Sequence, residues 1–74
     1  MPLGRKAEIR IARMSIEDGM KERYPRASNS TVRNAARELV SAKRRLDEGK
    51  MALDEFESVH EGIMRRVSQD HLLR

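Results

Sequence analysis

Apolar and small residues recur every seven positions through more than half of this 74-residue chain. Val32, Leu39, Leu46, Leu53, His60 and Val67 form one row, and Ala35, Ala42, Gly49, Phe56, Ile63 and Asp70 follow each of them by three. This is the a/d pattern of a helix that buries one seam, with only His60 and Asp70 polar. A chain carrying it is all-α and must lay that seam against something. The pattern predicts one long helix within residues 30–70, about 58 Å long at 1.5 Å per residue. Gly49 offers an alternative. Leu46-Asp47-Glu48-Gly49-Lys50 reads as a helix end with glycine in the left-handed position, which gives a three-helix bundle. The heptad phase passes Gly49 without a slip, and that favours the continuous helix.

Upstream, Pro25 forces Tyr24 out of helical geometry. Ile9, Ala12, Ile16 and Met20 recur at helical spacing before it, so a first helix is expected over roughly residues 5–24. Ser15-Ile16-Glu17-Asp18 also matches a capping box, which would start the helix later and leave Glu8–Met14 extended. The expected architecture is a helical hairpin. Residues 1–29 supply a basic helix and turn, 30–70 the long helix, and 71–74 a tail. A first helix of about 27 Å reaches only half of a 58 Å partner. The remaining stripe, Leu46, Leu53, Phe56, Val59, His60, Ile63, Met64 and Val67, is then a homodimer or partner interface.

Small size makes self-association attractive in another way. So short a domain is marginally stable alone, and the chain has no cysteine for disulfides. Cysteine-free composition, and the lack of a signal-type or bilayer-length apolar segment, point to a cytoplasmic protein away from membranes. Catalysis has little support. There are two histidines, His60 and His71, no thiol and no glycine-rich phosphate loop, so neither an enzyme nor a cofactor is expected. Glu57-x-x-His60 has the spacing of di-iron bundle ligands, but such a site needs two copies and two further glutamates. A single polar residue in a helical seam reads as a register device, and no metal is expected.

Charge carries the functional signal. Residues 1–45 hold twelve Lys/Arg against five Asp/Glu, whereas residues 46–74 hold four against seven. A basic half beside an acidic half suggests a nucleic-acid-facing region joined to an assembly region. Arg33, Arg37 and Arg44 fall within about 40° of one another around a helix, flanked by Asn34 and Ser41 and opposite the Val32/Leu39 seam. Arginine and asparagine are the side chains that read guanine and adenine edges, and further arginines supply phosphate contacts. Ser28-Asn29-Ser30 would aim helix-terminal amides at a phosphate. The candidate nucleic-acid-binding set is Arg10, Arg13, Arg26, Asn29, Ser30, Arg33, Asn34, Arg37 and Arg44.

Arg26-Ala27-Ser28-Asn29-Ser30-Thr31-Val32-Arg33-Asn34-Ala35-Ala36-Arg37-Glu38-Leu39-Val40 resembles the turn and second helix of ribbon-helix-helix repressors and related antitoxins. The resemblance implies Asn29 and Ser30 on a DNA phosphate and Val32, Ala36 and Leu39 in a dimer core. It also implies a base-reading strand at residues 3–9, where Gly4 and Arg5-Lys6 are poor strand formers, or shifted to 8–14. The functional expectation is a small dimeric DNA-binding transcriptional regulator of the phage, plasmid or bacterial-operon kind. The alternative is a helical adaptor or inhibitor docking its apolar stripe on a larger protein.

Overall fold

A computed structural model describes residues 4–74 as three helices, α1 (Arg5–Arg23), α2 (Asn29–Asp47) and α3 (Leu53–Leu72), with no strand among them. The all-α expectation holds, and the two-helix hairpin is corrected to the three-helix alternative.

Each boundary follows from local chemistry. Tyr24 leaves helical geometry with φ −128° ahead of Pro25, and its N–H still closes α1 onto Met20 O at 2.7 Å. Lys21 Nζ donates to Ala27 O at 2.7 Å and to Pro25 O at 3.3 Å, bracing the turn. Ser28 caps α2, its hydroxyl accepting from Thr31 N–H at 3.2 Å, a bond that satisfies one of the orphan amides of the first turn. Ser15 to Asp18 lie inside α1 and cap nothing.

The long helix ends because Gly49 takes φ +73°. Lys50 N–H donates to Arg45 O at 2.8 Å and Gly49 N–H to Leu46 O at 3.1 Å, the two bonds of a Schellman motif. The glycine conformation, absent from the heptad pattern, decides the fold here. After the reversal Leu53 is 61% exposed and His60 lies outside the core. The inward stripe of α3 becomes Phe56, Val59, Ile63 and Val67, rather than a continuation of the Leu46–Leu53 row.

α2 is the central element. α1 and α3 both pack on it and scarcely touch each other. Ala35 and Ala36 are fully buried and Ala42 nearly so, and these small side chains let two neighbours approach one helix. The core joins Met20 of α1, Ala27 of the turn, Val32 and Ala35 of α2, and Ile63 and Val67 of α3. Ile16, Tyr24, Leu39, Val59 and Met64 pack around it. The Cα envelope measures 40 × 31 × 15 Å, broad and thin. None of the helices is long and apolar enough to cross a membrane, among the described residues.

The last turn of α3 ties the ends together. Arg26 N–H donates to His71 Nδ1 at 3.0 Å, and Ser28 N–H donates to Asp70 Oδ2 at 2.7 Å. His71 also meets Tyr24 edge-on, with ring centroids 5.8 Å apart. Residues 71 and 72, expected in a tail, are therefore structural.

Candidate nucleic-acid interface

The basic face forms where the wheel of α2 places it. Its inward residues are Val32, Ala35, Ala36, Leu39 and Ala42; Arg33, Asn34, Arg37, Ser41, Arg44 and Arg45 are exposed. One groove beside α2 is lined by Val40, Lys43 and Arg44 with Ile9, Ala12 and Ile16 of α1. The groove on the other flank is lined by Glu38, Ser41 and Arg45 with Ser58, Gly62 and Arg66 of α3. At 100° per residue these flanks lie roughly 160° apart, and the arginine stripe occupies the arc between them. Arg33, Arg37 and Arg44 have no carboxylate within salt-bridge distance among the described residues. From Arg33 to Arg44 the stripe runs about 17 Å along the axis.

At the C-terminal end of α2 the stripe widens. Arg5, Arg44, Arg45 and Lys50 surround an open concavity of about 620 Å³ with Ser41 and Glu48. Glu48 is its one carboxylate, 3.1 Å from Lys50 Nζ and 3.7 Å from Arg5. The Lys50 hydrogen bond and charge, helped by Arg44 and Arg5, hold the Glu48 carboxyl below its usual range. Four cations around one acid leave a surplus of positive charge, and cations at a helix C-terminus also complement its dipole. Lys50 was not legible as part of this surface. It sits in the acidic half of the sequence, and only the Gly49 turn folds it back. Arg66 of α3 likewise reaches the α2 flank and pairs with Glu38.

Other expected contacts are placed elsewhere. Arg13 is half-buried with its Nε 3.3 Å from Glu17, so its charge is already matched inside the fold. Arg10 is exposed, but 200° around α1 from Glu8 and Ala12, which line the α1/α2 groove. Arg26 is exposed in the turn, where its own amide serves His71.

The α2 N-terminus needs the clearest correction. Ser28, Asn29 and Ser30 were expected to present amides to a phosphate. The Asp70 carboxylate already sits there, accepting from Ser28 N–H, and α2 has no acidic residue in its own first turn. The chain thus supplies its own anion to the helix dipole from α3. Asn29 and Ser30 are exposed beside it, and the Ser30 hydroxyl lies 3.4 Å from that of Ser28.

The proposed apolar interface is largely used within the chain. Ile63 and Val67 are buried at 3% and 0% exposure, and Leu46, Phe56, Val59 and Met64 are half-buried. Leu53 and His60 remain exposed, His60 stacked on Phe56 with centroids 6.2 Å apart. Glu57 and His60 gain no further ligands, and no three His, Cys, Asp or Glu side chains converge among the described residues.

Comparison with known proteins adds no relative: no family model, no curated protein and no solved structure matches the chain. The ribbon-helix-helix resemblance stays local as well. Residues 5–14, where its strand would fall, are helical.

Proposed function

We propose that this protein is a small non-enzymatic nucleic-acid-binding regulator that holds DNA against the outer face of α2. The observation that carries the reading is the stripe of Arg33, Arg37 and Arg44, exposed on one face and unmatched by any carboxylate, running into the Arg5/Arg44/Arg45/Lys50 cluster. Surface arginines in a folded domain are commonly offset by nearby acids, and seven such pairs exist elsewhere on this chain. Leaving the longest arginine row without them keeps like charges together at an electrostatic cost, and a polyanion removes that cost.

The test is fluorescence anisotropy of a labelled duplex across a salt series, with the mass of the protein recorded on the same samples. Binding should weaken linearly in log–log form as counterions compete. Arg33→Ala/Arg37→Ala/Arg44→Ala should lose at least about tenfold in affinity at low salt while its helical content stays unchanged. Unchanged affinity in that variant would sink the assignment of this face.

A further inference from the structure

On the footing of that reading, we infer that the nucleic acid is duplex DNA gripped by its phosphates alone, with no base read by α2. The inference comes from where α2 sits. A major groove about 12 Å wide accepts one helix, whose diameter with side chains is itself about 10–12 Å. α2 is flanked on both sides by helices packed against it, with packed axes typically about 8–10 Å apart. Because the two flanks are roughly 160° apart around α2, its outer ridge stands nearly level with α1 and α3. A ridge that level meets the groove walls before its side chains reach the floor. The arginines therefore stop at the phosphate rim.

The polar side chains agree with this. Asn34, the amide expected to read adenine, lines a groove against α3 with Thr31, Arg66, Gln69, Asp70 and Leu73. It is set to the side of the arginine ridge.

The aromatic residues argue against a single strand. Sequence-tolerant single-strand binders stack bases on exposed rings. The two rings here are half-buried and engaged elsewhere: Tyr24 with His71 and beneath Arg23, whose Cζ is 5.5 Å from the ring centroid, and Phe56 with His60. Neither lines a groove beside the arginine stripe. A backbone rim with regular phosphate spacing is the remaining partner, matched to a rigid helix about 17 Å along its cations.

The experiment compares two duplexes of about 24 base pairs with unrelated sequences, one of their strands alone, and the variant Arg33→Lys/Arg37→Lys, all by anisotropy at low salt. Lysine keeps the point charge for a phosphate but loses the planar fork that reads guanine. The expected result is duplex affinities within about threefold of each other, weaker single-strand binding, and a lysine variant within about threefold of the parent. A preference of about a hundredfold for one duplex, or a tenfold loss in the lysine variant, would overturn phosphate-only recognition while leaving DNA binding intact. Equal or tighter binding to the single strand would overturn the duplex assignment. Absence of binding to every probe would instead remove the proposed function, and this inference with it.

Discussion

The Ser28 N–H and the Asp70 carboxylate meet at 2.7 Å across 42 positions of sequence, so the end of α3 caps the beginning of α2. That bond and its companion from Arg26 N–H to His71 Nδ1 fasten the α1–α2 turn, which otherwise rests on Lys21 and on Ala27 in the core. Asp70 also accepts from Arg74, at 3.3 Å and 3.4 Å, so the carboxylate is bonded from both sides.

Asp70→Ala should therefore lower the thermal midpoint and accelerate amide exchange at Ser28, because a donor at a helix start loses its acceptor. Asp70→Asn keeps an acceptor oxygen but removes the charge, and its midpoint should fall between the two. Hydrogen exchange resolved by residue checks the location. An unchanged Ser28 rate in the alanine variant would contradict the bond.

The same carboxylate makes stability depend on acidity. Its pKa is held below the ordinary 3.8, first by the Ser28 amide and then by Arg74. A group whose folded pKa is lowered contributes fully above its unfolded value and loses that contribution as pH falls through the folded one. Stability from Asp70 should thus be flat at neutral pH and decline below about pH 4. Denaturation at several pH values should show a shallower acid decline in Asp70→Asn than in the parent.

Glycines at different positions should respond in opposite directions. Gly49→Ala forces a side chain into φ +73° and should cost about 1 kcal/mol. Gly19→Ala lies within α1, where an added Cβ meets no atom within 4 Å, and should add about 1 kcal/mol. Urea melts measure both.

Core and exposed leucine-type positions in α3 should separate sharply. Ile63→Ala empties a site of 3% exposure and should cost about 3 kcal/mol. Leu53→Ala, at 61% exposure, should change stability by less than about 0.5 kcal/mol. A large loss at Leu53, growing with protein concentration, would instead reveal a partner on that side chain.

Helical periodicity made α1 and the inward face of α2 legible, because Ile16, Met20, Val32, Ala35 and Leu39 point where an amphipathic wheel places them. The exposed Arg33, Arg37 and Arg44 follow from the same wheel. Periodicity was silent on the reversal at Gly49, since a seven-residue repeat is indifferent to whether its helix continues or folds back. Only the left-handed φ of one residue distinguishes the two. The Asp70 cap was hidden for a different reason. It joins residues 42 apart, and no spacing rule connects a carboxylate in one helix to an amide two turns of chain architecture away. Lys50 and Arg66 joined the α2 surface through those same long-range placements.

Because α1 and α3 each rest on α2 and scarcely on one another, nearly every packing contact joins neighbours in sequence. Such low contact order belongs to chains that fold in microseconds to milliseconds. Each helical hairpin can close without waiting for the other, and the Asp70 and His71 bonds come last, since they need both closed. The order has a biosynthetic counterpart. As the chain leaves a ribosome, α1 and α2 can pair while α3 is still being made, and the arginine ridge is complete before the final turn seals its start.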